Sequence, residues 1–495
     1  MLDQNQIDIL SKKSIASRGH IIGEQVDVGR SEDTLEVLSP IDGSLLTTIA
    51  AGTTRHADLA ITCARESFED RRWCGQPPAA RKRILLRWAD LIEAETLELT
   101  VLGVRDNGTE ISMAIKAEVG SAVNTIRYYA EALDKRYGQI APTADDVLGL
   151  VHHEPVGVVG VIVPWNFPLM IGSWKLAPAL AMGNSIVLKP PETASLTLLR
   201  ICQLALEAGL PPGVLNVVTG EGRIVGEAIG LSMDVDVLAF TGSGATGRRL
   251  LEYSARSNMK RCYLELGGKS PNIVFKDAPN LAETAKASAA AIFRNSGQVC
   301  VAGSRLLVEE EIFEDFVGLL AEQSSAMNVG NPLDIKTQSG AINNLAQMKQ
   351  SLEFIDIARK EGADIYSGGA QILIETGGYY IEPTIITNVA AEDNIALNEV
   401  FGPVLAVTTF KDEEAALTLA NGTDFGLAAG VWTADLSRAH RMVRAIRAGV
   451  VHVNTYGGAD ITVPLGGVKQ SGNGHDKSMH AFDKYTDLKT AWIKL

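Results

Sequence analysis

Disulfide chemistry, metal ligation and positive charge are all poorly provided for in this sequence. Its five cysteines, Cys63, Cys74, Cys202, Cys262 and Cys300, are odd in number and scattered, so no disulfide framework is indicated. There is no C-x-x-C, and the eight histidines include no H-E-x-x-H, so no metal site is expected. No apolar run reaches the roughly 18 residues that a membrane helix needs. The first residues, Met1-Leu2-Asp3-Gln4-Asn5-Gln6, lack the basic and apolar segments of a secretory leader. A net charge of -14 argues against nucleic acid or an anionic membrane as the main partner. Repeats and low-complexity segments are also absent. The expected setting is a reducing cytoplasm.

What is present is ordinary globular composition, 46% hydrophobic and 21% charged over 495 residues, enough for two or three domains with sizeable cores. Up to about residue 50 the chain reads as a short arm and strands, and from His56 to about Lys135 as helix. Between Gly149 and Glu265 apolar runs such as Val158-Val159-Gly160-Val161-Ile162-Val163 and Ser185-Ile186-Val187-Leu188 alternate with helical stretches. That βαβ texture, with strands apolar throughout, predicts a parallel doubly wound sheet of the nucleotide-binding kind. A second alternation starts at Asn272-Ile273-Val274-Phe275 and predicts another α/β domain. Tyr485 to Leu495 reads as a terminal strand with an edge free to pair with another subunit.

Cys300 lies in Gly297-Gln298-Val299-Cys300-Val301-Ala302-Gly303, after an Ala-rich helix pattern. A thiolate there would be a strong nucleophile, but most free cysteines are inert packing residues, and this stretch alone leaves both readings open. Pro164-Trp165-Asn166-Phe167-Pro168 ends a strand and fixes an amide between two prolines, which suits a preorganised donor. Gly242-Ser243-Gly244-Ala245-Thr246-Gly247 fits the dinucleotide G-x-G-x-x-G, with Glu265 near the distance expected of its ribose-binding acid. Glu265 however belongs to a turn of its own, whereas Glu192 in Lys189-Pro190-Pro191-Glu192 directly follows a strand and is the better candidate. A thiol and a carboxylate alone would also suit a cofactor-independent cysteine hydrolase, and a non-catalytic protein could keep the fold. The nucleotide-type turns speak against the hydrolase.

Taken together, these stretches resemble one family. Pro164 to Pro168, Phe240-Thr241-Gly242-Ser243, Leu264-Glu265-Leu266-Gly267-Gly268-Lys269, Gly297 to Cys300, Glu399-Val400-Phe401-Gly402-Pro403 and Pro464-Leu465-Gly466-Gly467-Val468-Lys469-Gln470-Ser471-Gly472 stand in the order seen in NAD(P)-dependent aldehyde dehydrogenases. Ser471-Gly472-Asn473-Gly474-His475-Asp476-Lys477-Ser478 is similar to the bacterial gamma-glutamyl-gamma-aminobutyraldehyde and 4-guanidinobutyraldehyde dehydrogenases. The resemblance implies an α/β fold with a Rossmann-like NAD-binding domain (1–132 and 156–264), a second α/β catalytic domain (265–466) and a small β oligomerisation element (133–155 and 482–495). It implies Cys300 as nucleophile, Asn166 as oxyanion donor, Glu265 as base and Lys175 in support. It assigns NAD, with NADP less favoured, to Ile162, Pro164, Trp165, Lys189, Glu192, Gly222, Gly226, Phe240, Ser243, Leu266, Glu399 and Phe401. The substrate channel would take Phe167, Ile171, Trp174, Val299, Val301, Asp460 and Leu465, widened by Gly457-Gly458-Ala459. The implied partners are a small aldehyde and further copies of the chain, as a dimer or a dimer-of-dimers tetramer. His475 replaces the family's usual arginine, so its expected link to an acid near Asp487 becomes weaker and pH-dependent.

Overall fold

The computed structural model describes residues 2–458 and 460–495. Ala459, counted above among the small residues of the channel mouth, lies outside them.

Two doubly wound sheets make up most of the fold. The core of the first is five parallel strands in the order Leu215–Val217, Ser185–Lys189, Val158–Ile162, Val237–Thr241, Arg261–Glu265. The central strands are buried along their whole length, which is why they carry Val, Ile and Leu without alternation. From Val158–Ile162 the chain winds outward through Ser185–Lys189 and Leu215–Val217. It then crosses back to lay Val237–Thr241 on the other side, pairing Phe240 with Ile162. The winding direction reverses there, and a crevice opens beyond the carboxyl ends of the two strands.

The edges of this sheet come from distant segments that the sequence reading did not place. His20–Ile22 pairs antiparallel beside Leu215–Val217, and Gly472–Asn473 pairs with Leu264 and Glu265. The helix Gln4–Ser11 was likewise unforeseen. Helix Pro168–Ala181 starts on a proline and is buried almost all round. Its first turn is held by Glu118, whose Oε2 accepts the Met170 N–H at 2.7 Å.

The second sheet runs Asp364–Ser367, Thr384–Thr387, Val404–Phe410, Arg305–Glu309, Pro271–Val274, Ala428–Trp432, Val450–Val453, parallel except for the first pair. A separate three-stranded sheet pairs Thr486–Lys494 along Val147–Pro155, with Gln139–Ala141 on the far side. Ile140, Leu488 and Trp492 on it are at least two-thirds exposed. Among the described residues no helix is long and apolar enough to cross a membrane.

Candidate active site

The crevice at the reversal point is a cavity of about 220 Å³. Nine of the residues anticipated from the sequence line it together: Pro164, Trp165, Asn166, Ile171, Ser243, Leu266, Cys300, Glu399 and Phe401. Gln347 and Gln350 line it as well and carried no sequence signal.

Cys300 follows a strained turn. Asn295 and Ser296 have φ near +50° and Gly297 has φ +71°, a left-handed run that ordinary residues adopt only when their surroundings enforce it. The enforcing bonds are buried. The Asn295 amide N–H donates to Glu110 (3.2 Å to Oε2). Thr109 donates to Asn295 Oδ1 at 2.7 Å, and Ser296 donates to the Gly340 carbonyl at 2.7 Å. A Cβ on Gly297 would collide with the Gly402 carbonyl, so this glycine lets the cysteine loop pack against the loop bearing Glu399 and Phe401. Phe401 itself has φ +57° and its ring meets Trp165 edge to face at 5.4 Å.

Asn166 is buried, and its Nδ2 donates to the Gln298 carbonyl at 2.9 Å. One N–H thereby fixes the amide, and the second is left for an oxygen in the cavity. Burial beside Glu399 and Glu265 pushes the Cys300 thiol up to about 12, against the pull of the Val301 and Cys300 N–H groups. The resting group is therefore the thiol, and attack requires that its proton be taken.

Glu265 ends its strand 8% exposed, and its Oε1 is buried without a hydrogen-bond partner. Burial raises its carboxyl well above the usual range, Asp476 adds to this, and Lys175 and Lys484 oppose it. Glu265 thus faces a charged enclosure. Lys175 Nζ donates to Asp476 Oδ2 at 2.7 Å and Lys484 holds the other oxygen.

Further residues anticipated for a dinucleotide gather at the end of strand Ser185–Lys189. Glu192 Oε1 accepts the Gly222 N–H at 2.7 Å and lies 3.2 Å from Lys189 Nζ. Gly226 leaves its Cβ position open over Ile162 and the Lys189 stem. Phe240 is buried against Gly242. Ser243 caps helix Gly244–Ala255, whose first turn opens on the cavity and suits a phosphate. A Cβ on Gly267 would strike Glu399, whose Oε1 accepts the Gly268 N–H at 3.0 Å.

The proposed channel residues divide. Phe167, Ile171 and Trp174 are core residues, with Val299 and Leu465 packed against the same cluster. The Val301 carbonyl accepts the Tyr456 hydroxyl at 2.9 Å. Asp460 is exposed, and its carboxylate accepts the Thr462 N–H at 2.8 Å. Lys477, unforeseen, lies 5.7 Å above the Trp174 ring and draws Asp460 downward in pKa after Thr462.

One expectation is corrected. Within the chain Asp487 pairs with Arg261 at 2.7 Å, and His475 is exposed with no ion pair among the described residues.

The model of the aldehyde dehydrogenase family matches residues 28–491. The chain belongs to that family. It is an oxidoreductase acting on aldehydes. It is 47% identical over 482 residues to the NADP/NAD-dependent aldehyde dehydrogenase PuuC of Escherichia coli, covering 97% of this chain and 96% of the relative. Its fold is similar to an indole-3-acetaldehyde dehydrogenase solved with NAD+ (TM-score 0.98, 48% identical, all of both chains). It is also similar to a gamma-glutamyl-gamma-aminobutyraldehyde dehydrogenase from Burkholderia cenocepacia (TM-score 0.97, 44% identical, all of both chains).

Proposed function

We propose that this enzyme oxidises an aldehyde to the carboxylic acid through a Cys300 thiohemiacetal and then a Cys300 thioester, with NAD as cofactor. The observation that carries this reading is the convergence of Cys300, Asn166 and Glu399 on one cavity at the reversal point of the sheet. Lys189, Glu192, Gly222, Ser243, Glu399 and Phe401 would hold NAD. When bound, its nicotinamide supplies the acceptor for the hydride released by the substrate carbon. Sγ of Cys300 bonds to the carbonyl carbon while the thiol proton leaves to solvent, so that Glu265 stays a carboxylate for the second half of the reaction. The Asn166 amide and the Cys300 N–H hold the oxyanion, where one such donor contributes roughly 2.7–4 kcal/mol. Glu265 afterwards takes a proton from water, the resulting hydroxide adds to the thioester, and the carbon–sulfur bond breaks.

For the substrate, we favour omega-amino, guanidino or gamma-glutamyl-amino aldehydes of polyamine and arginine breakdown. The name of the Burkholderia cenocepacia relative supports this choice, as do the small Gly457 and Gly458 and the acidic Asp460 expected at the mouth. The relative named for indole-3-acetaldehyde supports a second reading, a broad-specificity aldehyde dehydrogenase. The Glu192 carboxylate disfavours a 2′-phosphate, hence NAD over NADP. The exposed apolar residues of the three-stranded sheet suit pairing into a dimer or a dimer of dimers, and the five free cysteines suit a reducing cytoplasm.

The test is kcat/KM with NAD across aminobutyraldehyde, guanidinobutyraldehyde, gamma-glutamyl-aminobutyraldehyde, succinic semialdehyde, propanal and an aromatic aldehyde, for the wild type and Asp460→Asn. Cationic tails are expected to lead, and the variant to lose that lead alone. A flat profile supports the broad reading. A Cys300→Ser variant that still produces NADH would sink the chemistry.

A further inference from the structure

Asp476 is held by two ammonium groups where one would neutralise it. Lys175 Nζ stands 2.7 Å from one carboxylate oxygen, and Lys484 Nζ pairs with the other. The side chains are 1% exposed for Lys175 and Asp476 and 4% for Lys484. Three segments meet to build this: helix Pro168–Ala181, the loop after Gly472–Asn473, and the turn Met479–Lys484 that leads into the terminal strand. Glu265 is the fourth member: it pairs with Gly472 at the start of the loop that carries Asp476, and its Oε1 borders Gly466 beside that loop. One lysine and one aspartate would present Glu265 with no net charge. Two lysines and one aspartate leave a surplus positive charge inside a water-poor enclosure, where charge acts strongly.

We infer that Lys484 is a positioning residue for the base: by sharing Asp476 it leaves part of the Lys175 charge uncancelled, and so keeps Glu265 available as a carboxylate. This rests on the reading of Glu265 as the group that activates water. His475 is the titratable group nearest the open side, its Cδ2 and Glu265 Oε1 both bordering Gly466. Tyr129 donates to the Ser478 carbonyl at 3.0 Å. The Tyr485 ring lies 5.4 Å from Lys484 Nζ. Tyr263 and the Lys484 stem both pack at Gly474. Lys477 faces Trp174 and Asp460, and Cys300 lies on the cavity side. Burial and Asp476 push the Glu265 carboxyl upward, and Lys175 and Lys484 restrain it.

The experiment follows the pH dependence of kcat and single-turnover NADH formation in the full-length enzyme with NAD and propanal. Lys484→Met is expected to move the ascending limb of kcat upward by about one pH unit, the lower end of what a neighbouring charge does. At pH 7 kcat would fall about tenfold, while single-turnover NADH formation and KM for NAD stay near wild type. Lys484→Arg, which keeps the charge, is expected to move the limb less than half as far. If Lys484→Met does not fold, it is added to Asp476→Asn, where no buried carboxylate is left unpaired, and the limb must again rise relative to Asp476→Asn alone. An unmoved limb in that comparison or in the single variant overturns the proposal, whatever happens to stability. Glu265→Gln separates the two readings. If it hydrolyses the thioester at the wild-type rate, the base has been misassigned. If it stalls after one turnover while Lys484→Met leaves the limb in place, only the role of Lys484 has failed.

Discussion

Lys189 meets Glu192 at 3.2 Å with the carboxylate side chain 40% exposed, whereas Lys175 meets Asp476 at 2.7 Å with both side chains 1% exposed. The same two functional groups therefore work under different physics. In the first pair the lysine side chain is only 4% exposed, but the carboxylate faces water, which screens the attraction between them, and the Glu192 oxygens are within reach of a ligand's hydroxyls. The second is closed off. Burial alone would raise Asp476, but Lys175 and Lys484 outweigh it and hold the carboxyl below its usual range. No ligand can replace either partner there, and the charges can only act on each other and on Glu265. A lysine–carboxylate pair with an exposed oxygen is thus open to a ligand, whereas a fully buried one can act only on its charged neighbours.

The contrast breaks most visibly in stability. Asp476→Ala would leave two ammonium groups in an enclosure with nothing to balance them, a change that costs about 3–5 kcal/mol when a buried pair loses one partner. Urea unfolding measures it. A loss below about 1 kcal/mol would place Asp476 with exposed pairs and end the contrast. The opposite is expected of Glu192→Gln. Its unfolding free energy should stay within about 0.5 kcal/mol of wild type, while KM for NAD rises several-fold and the kcat/KM preference for NAD over NADP shrinks. A variant with unchanged cofactor kinetics would show that Glu192 only caps the Gly222 turn.

The two pairs also differed in how far the sequence disclosed them. Glu192 is legible from its place just after the apolar run Ile186-Val187-Leu188, while Lys189, which ends that strand, and Gly222 and Gly226 come from the family resemblance. Cys300, Asn166 and Glu399 were found through their motifs. Asp476 lay inside a motif, yet nothing local shows that it faces Lys175, 301 residues away. Lys484 carried no signal, because its partner is set by the path of a turn between two sheets. The His475 expectation failed for a related reason: the pairing of Asp487 depends on which strand end lies beside it, and that end bears Arg261. The left-handed turn at Asn295 and Ser296 was also hidden, since neither residue is glycine and the bonds that enforce it come from Glu110, Thr109 and Gly340.

Glu399 tests the smallest effect. Burial pushes its carboxyl up to about 7, against the Gly268 N–H and Lys269. Below that pH the group is protonated and offers a ribose hydroxyl only a neutral acceptor. As pH rises through 7 it ionises, and the bond to it strengthens by about 1 kcal/mol, the difference between neutral and charge-assisted hydrogen bonds. KM for NAD is therefore expected to fall about fivefold between pH 6 and 8. Lys269, pushed down to about 7 by burial and Arg305, loses its charge over the same range and broadens the change. Glu399→Gln should flatten the dependence at the acid-side value. If wild-type KM is level over this range, Glu399 does not bind the cofactor through its charge, and if the glutamine variant keeps the slope, another group sets it.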